Sequence, residues 1–166
     1  YQAIANDGLR IPSRIVKATV AADGTSTAEP QPAGIRVVSP ETARTVRNML
    51  RAVVQRDPMG TQQGTAPAAA VQGYQIAGKT GTAQQINPAC GCYYDDVYWI
   101  TFAGMAPVDD PRYVVGLMMD APVRNADGSP GYSAAPLFHN ITAWLLQRDN
   151  VPLSPDPGPP LTLEAT

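Results

Sequence analysis

Residues 73–83, Gly-Tyr-Gln-Ile-Ala-Gly-Lys-Thr-Gly-Thr-Ala, admit two readings that lead to different folds. From Gly73 to Thr80 the spacing satisfies the phosphate-loop pattern G-x-x-x-x-G-K-[ST], which needs a buried strand before it and a helix after it. From Lys79 to Thr82 the same residues read as one strand, Lys-Thr-Gly-Thr, offering a face and an edge to a ligand. The nucleotide reading has one further support, since Val114–Asp120 is an apolar run ending in an acid, as a magnesium-binding strand would be. Its context argues against it. No apolar run fills 60–72, Gly81 follows Thr80 where a helix would have to open, and Pro88 arrives within two turns. Tyr74 and Ile76 are bulky for a loop wrapped around an anion, and they alternate with Gln75 and Ala77 as strand residues do.

On a strand, Lys79 and Gly81 share one face and Thr80 and Thr82 the other. Gly81 removes a side chain where the backbone of a ligand must come close. Thr80 and Thr82 offer hydroxyls to a carboxylate, and Lys79 supplies a fixed positive charge for proton handling or anion stabilisation. At a sheet edge, the free N–H and C=O groups can pair with a peptide laid alongside. The plain alternative is a Gly/Thr-rich strand end that binds nothing.

The bulk numbers bound the rest. A chain of 166 residues, 44% hydrophobic and 16% charged, can bury one core. A net charge of -2 gives no basic field, so nucleic acid is not an expected partner. Cys90 and Cys92 are separated by one glycine and the single histidine, His139, is distant, so no metal site is expected; free thiols or one local disulfide fit better. No run is long enough to span a bilayer.

Along the chain, Tyr1–Asn6 reads as the tail of a helix begun earlier, stopped by Asn6-Asp7-Gly8. Asp23–Gly34 reads as a loop, and 16–20 and 35–38 as candidate partners in a small hairpin. Ser39 caps a predicted helix running to Gln55, with Pro40 at its first position and Asp57-Pro58 as its stop. Its apolar positions are Ala43, Val46, Leu50, Val53 and Val54, with Arg44, Arg47 and Arg51 mainly on other faces, and 60–70 follows as loop. Strands are predicted over 74–85, 98–104 and 112–120, the last two joined at Asp109-Asp110-Pro111. The third, apolar on both faces, is expected at the centre of a sheet. A last helix over 135–148 carries the stripe Leu137, Ile141, Trp144 and Leu145, with His139 off it in a surface or capping role. Residues 151–166 are proline-rich and expected to form an extended, poorly ordered tail.

Together, Tyr1–Gly8, Gly78–Ala83, Ala103–Pro107 with Asp110–Tyr113, and Ala134–Phe138 resemble, in order, segments of the class B penicillin-binding protein transpeptidase domain, in its septal, actinobacterial form. The resemblance covers 1–150 and implies an α+β fold, an antiparallel sheet flanked by helices, as the C-terminal part of a penicillin-binding or serine β-lactamase-like domain. It implies peptidoglycan D,D-transpeptidation in cell division by serine acyl transfer, inhibited by β-lactams. Peptidoglycan stem peptides, β-lactams, the N-terminal remainder of the same domain and membrane divisome proteins are the implied partners, with no cofactor. The implied place is the extracytoplasmic face of the membrane, held by an N-terminal anchor outside this chain. Carried over residue by residue, Lys79 and Thr82 are catalytic, the latter through its main-chain N–H, and Thr80, Gly81 and Thr82 bind substrate. The family's nucleophile motif Ser-x-x-Lys and its second motif Ser-x-Asn occur nowhere here, so both are expected upstream and this chain alone is expected to be inactive. A non-catalytic sensor or scaffold of the same fold stays open as an alternative. A β-lactamase or small carboxypeptidase fits the 90–96 connection and the last helix less well.

Overall fold

A computed structural model of the chain describes residues 1–56, 63–123, 130–156 and 161, with only the backbone at 130–133. Helix α1 (Gln2–Ala5) ends as its Asn-Asp-Gly stop predicts, with Asp7 (φ 48) and Gly8 (φ 82) in the left-handed region. A Cβ on Gly8 would lie 2.1 Å from the carbonyl oxygen of Val38, so this close approach requires glycine. Four short strands follow: β1 (Leu9–Arg10), β2 (Ala18–Val20), β3 (Ser26–Ala28) and β4 (Ile35–Arg36). Their pairing differs from the expected one, for β2 pairs with β3 and β1 with β4. The reason is local turn chemistry: Asp23 accepts from the N–H of Thr25 (2.9 Å), and Gly24 (φ 85) donates to Ala21. This turn closes a shorter loop than the predicted hairpin would.

Helix α2 (Pro40–Arg51) starts as predicted, the hydroxyl of Ser39 accepting from the N–H of Thr42 at 3.0 Å. It tightens into a 3-10 turn over Ala52–Val54. The predicted stop at Asp57-Pro58 lies outside the described residues. Of the loop predicted over 60–70, residues 63–66 carry no regular structure and Pro67–Ala69 form a 3-10 turn. Arg47 does not lie off the buried face as expected; it is only 6% exposed. Its guanidinium donates to the carbonyls of Ile4 (2.9 Å) and Ala5 (3.2 Å) and pairs with Asp7 (2.8 Å), satisfying the open carbonyl end of α1. An arginine with three fixed acceptors can sit inside, and sequence period alone does not show acceptors.

Strands β5 (Ala77–Asn87), β6 (Cys92–Ala106) and β7 (Tyr113–Asp120) form one antiparallel sheet in the order β5-β6-β7. The first strand starts later than expected because Tyr74 closes a turn, its N–H donating to Val71, with Gly73 at φ 82. The second starts earlier, at Cys92, because the β5–β6 hairpin continues to a tip where Cys90 and Cys92 form a disulfide. The centre of the sheet is β6, not β7. Strand β7 alternates, with Tyr113, Val115, Leu117 and Met119 half-buried while Val114 and Met118 are exposed.

Helix α3 (Pro130–Arg148) covers one face of the sheet. The buried stripe is Ala134, Ala135, Phe138, Thr142 and Leu146; the predicted Leu137 and Trp144 are exposed, while Ile141 and Leu145 are half-buried. Phe138 anchors that rotation, its ring centroid 4.7 Å from that of Phe102. Trp144 instead lies beneath the guanidinium of Arg148 at 4.8 Å. On the opposite face Ala77, Met105 and Val108 pack with Ile4, Ala5 and Leu50, so α1 and α2 cover that end of the sheet. The last segment, 151–156, is extended as expected but pinned rather than loose, by bonds to Gly73, Tyr74, Gln75 and Asp109.

At the end of α3, Asp149 is held at about 2 by the Arg148 guanidinium and by the hydroxyl of Tyr113, which donates to it. Its pKa is lowered on folding, so its contribution is present above pH 4 and lost as pH falls through about 2. Asp149→Asn should therefore lower the unfolding midpoint at neutral pH, with the gap from wild type closing between pH 4 and pH 2; a gap constant with pH would contradict the assignment. Phe138→Ala should destabilise the fold by about 3–5 kcal/mol in denaturant titration, as removal of a fully buried ring does.

Candidate functional site

The position of residues 79–82 follows from a pair of glycines. Gly78 and Gly104 face each other across β5 and β6, and a Cβ on either would strike a ring: Phe102 at 2.5 Å from Gly78, Phe138 at 2.8 Å from Gly104. The two phenylalanines fill the space that the glycines leave. The register continues as Lys79↔Ala103, Thr80↔Phe102, Gly81↔Thr101 and Thr82↔Ile100.

This register fixes both face and edge. Gly78, Thr80 and Thr82 share the α3 side with Phe102, whereas Ala77, Lys79 and Gly81 lie on the side of α1 and α2. The Ala103 carbonyl would approach a Cβ on Gly78 at 2.9 Å, and the Ala77 carbonyl one on Gly104 at 2.8 Å. Those carbonyls thus point between β5 and β6. In an antiparallel pair N–H and C=O of one residue point the same way and alternate along the strand. The N–H and C=O groups of Thr80 and Thr82 therefore face the outer edge of β5, which pairs with no strand among the described residues.

Lys79 is exposed and wraps that edge: its ammonium donates to the carbonyl of Thr80 (3.0 Å) and to the hydroxyl of Thr80 (3.2 Å). No carboxylate among the described residues pairs with it. The structure thus brings together Lys79, Thr80, Gly81 and Thr82, all the residues singled out from the sequence, as one cationic, hydroxyl-bearing edge. It adds one that the sequence did not reveal. Thr65, from the irregular segment 63–66, places its hydroxyl 3.3 Å from that of Thr80. A threonine in a polar stretch without periodicity carries no signal by which it could have been found.

The α1/α2 side of the sheet is covered only in part. Beyond Lys79 and Gly81 it runs on through Thr101, Gly116 and Met118, the last 69% exposed, and a Cβ on Gly116 would meet nothing within 4 Å. It meets a groove of about 920 Å³ whose walls include Tyr1, Arg10, Ile11 and Val114. Among the described residues no three His, Cys, Asp or Glu side chains converge to hold a metal. His139 has a structural contact, its Nδ1 lying 2.6 Å from the carbonyl oxygen of Ala70.

Known proteins resemble this chain over most or all of its length. The profile of the penicillin binding protein transpeptidase domain matches residues 1–143. The chain is 79% identical over its full length to the penicillin-binding protein PbpB of Mycolicibacterium smegmatis, of which it spans 26%. It is 75% identical to PbpB of Mycobacterium tuberculosis, spanning 24% of that protein. Among solved structures, penicillin binding protein 3 of Mycobacterium tuberculosis complexed with ampicillin superposes with a TM-score of 0.90 at 75% identity, covering all of this chain and 37% of that one. The chain thus spans about a quarter of the length of the curated relatives it matches.

The two glycines of the motif should respond differently to a methyl group. Gly78→Ala drives Cβ into Phe102 and into the backbone carbonyl of Ala103, and should cost about 1–3 kcal/mol in denaturant unfolding. In Gly81→Ala the obstacle is the hydroxyl of Thr101, which can rotate, so its stability loss should be the smaller of the two. The reverse order would refute the register argument.

Proposed function

The chain belongs to the penicillin-binding protein transpeptidase family, and from that premise we propose that it forms one wall of the acyl-transfer site of a septal peptidoglycan D,D-transpeptidase. One observation carries the reading: the edge presenting Thr80 and Thr82 is extended, cationic and paired with no other strand among the described residues. A phosphate loop would need residues after Thr80 to be helical, whereas β5 continues to Asn87.

The chemistry begins with a serine outside these residues. Its Oγ attacks the carbonyl of the penultimate D-alanine of a stem peptide, the peptide C–N bond breaks, and terminal D-alanine leaves with a proton. An amine of a second stem peptide then attacks the ester carbonyl, forming the cross-link and returning the proton to serine. A β-lactam follows the first half only, its ring amide opening on the same oxygen. In both cases the carbonyl oxygen becomes an oxyanion, and the outward N–H of Thr82 is placed to donate to it. The hydroxyls of Thr80 and Thr82 receive the carboxylate of the stem peptide or drug. Gly81 keeps the strand open to a backbone laid alongside. Lys79 supplies positive charge where negative charge develops.

The serine and its lysine partner belong to the N-terminal remainder of the domain, which covers the open part of the sheet beyond Lys79. The supporting observations are the exposed Met118, the uncrowded Gly116 and the groove beside Tyr1. The complete protein works on the extracytoplasmic side of the membrane, held by an N-terminal anchor and accompanied by divisome proteins.

Labelled penicillin tests this directly. The complete protein should take one covalent label, and this chain alone none. Lys79→Ala should slow acylation of the complete protein by the equivalent of about 3–4 kcal/mol, as removal of other such donors does. Label on the isolated chain, or acylation of Lys79→Ala within threefold of wild type, would overturn the assigned roles. Turnover with stem peptides separates an enzyme from a sensor that only binds drug.

A further inference from the structure

We propose that the C-terminal segment, Val151–Asp156 with Leu161, is a strap that positions the Thr65–Thr80 hydroxyl pair, with Ser154 and Gln55 as its positioning residues. The inference rests on the acyl-transfer reading, and gives a role to a stretch whose composition suggests a loose tail. After α3 the chain turns at Asn150 (φ 49) and crosses the residues that lead into β5. Tyr74 donates its hydroxyl to the carbonyl of Val151 (2.7 Å), and Ser154 donates its N–H to the carbonyl of Gly73 (3.0 Å). Gln75 is held at three points. Its N–H donates to the Ser154 hydroxyl (3.0 Å), its side-chain amide donates to the Pro155 carbonyl (3.0 Å), and its carbonyl accepts from Val108 (2.9 Å). The Ser154 hydroxyl in turn donates to the carboxylate of Asp109 at 2.5 Å. Three segments therefore meet at Ser154: the strap, the approach to β5 and the β6–β7 turn.

A second anchor reaches the other side of the site. The side chain of Gln55 exchanges two hydrogen bonds with the backbone of Leu161, at 2.7 and 2.8 Å. Its own carbonyl accepts from the N–H of Gly64 (2.9 Å), and Ala66 donates to the carbonyl of Val53 (2.8 Å). Between Gly64 and Ala66 stands Thr65, whose hydroxyl meets that of Thr80. The strap thus grips Gln75, in the approach to the strand that bears Thr80, and Gln55, which carries the segment bearing Thr65. A cavity of about 370 Å³, lined in part by Arg51, Gln55, Tyr74, Ile76 and Pro155, separates strap from body. Directional hydrogen bonds fix its position on that side, with Val151 packed against the core and Leu153 against Gly73.

The test uses the complete protein in four forms: wild type, a chain ending at Asn150, Ser154→Ala and Ser154→Thr. Acylation by a carboxylate-bearing β-lactam is measured at a temperature where thermal unfolding shows every form folded, and amide hydrogen exchange is followed over 63–66 and 74–80. The truncation and Ser154→Ala should lower the second-order acylation constant about tenfold or more, since small misplacements of positioning groups carry losses of that order. Ser154→Thr, which keeps the hydroxyl, should restore most of it, and exchange should quicken at 63–66 and 74–80 in the two impaired forms. Acylation constants within twofold of wild type in both, or losses that only follow the folded fraction, would overturn the strap. If wild type itself takes no label, the acyl-transfer reading falls; unchanged exchange on truncation would then separately dismiss the strap.

Discussion

The contact of two phenylalanine rings with two facing glycines governs the placement of everything else in this chain. Phe102 and Phe138 are both fully buried, and neither Gly78 nor Gly104 could carry a side chain beside them. Strand side chains alternate, so a slip of one residue between β5 and β6 would exchange the faces of Lys79 and Thr80. It would also set a ring against a position that is not glycine. The packing therefore rejects the neighbouring registers and leaves the one in which Thr80 and Thr82 turn their backbone groups to the outer edge. A motif glycine can thus have a structural duty: Gly78 belongs to the core, whereas a Cβ on Gly81 would meet only the side chain of Thr101.

The two faces of the sheet are closed to different degrees. On the α3 face, Ala134, Ala135, Phe138 and Leu146 bury Ile100 and Phe102 in a continuous apolar layer. On the other, α1 and α2 cover Ala77, Met105 and Val108, and their cover stops before Gly81, Thr101 and Met118. Arg47 makes that partial cover rigid by tying α2 to the last carbonyls of α1. Lys79 stands at the boundary, where its charge is neither sunk in the core nor paired with a carboxylate among the described residues. An ammonium so placed keeps its field available to whatever approaches the edge.

The sequence revealed the elements whose signals are local, and missed those whose causes are distant. The cap at Ser39-Pro40, the stop at Asp7-Gly8, the turn at Asp109–Pro111 and the strand character of 79–82 were all legible, because each depends on a few neighbouring residues. Arg47 was misplaced because its acceptors lie forty or more residues away. The stripe of α3 was misplaced because Trp144 and Leu137 look like core residues, while the space beside Phe102 selects Phe138. Strand β7 reads as central from its apolar content, but a half-covered face leaves Val114 and Met118 outside. Of the candidate site, the extended strand that carries residues 79–82 could be read. Thr65 could not, since nothing in its surroundings shows which strand it will meet.

Hydrogen-bond direction gives the motif a polarity that residue types alone do not. An ammonium only donates, so the bond from Lys79 leaves the Thr80 hydroxyl as the acceptor. A hydroxyl that accepts on one side still has its proton to give, and the geometry offers it to Thr65 or to a ligand at the edge. If a carboxylate takes that proton, the Thr65 hydroxyl can turn and donate to the remaining lone pair of Thr80 or to the carboxylate itself. In either arrangement one hydroxyl of the pair keeps a proton for an acceptor beyond it, and the outward N–H groups of Thr80 and Thr82 face the same edge. The outward carbonyl of Thr82 adds an acceptor beside these donors, so the edge carries both halves of a strand's hydrogen-bonding pattern. The order of the bonds on the side-chain part of the edge therefore depends on Lys79 being the first donor in the line.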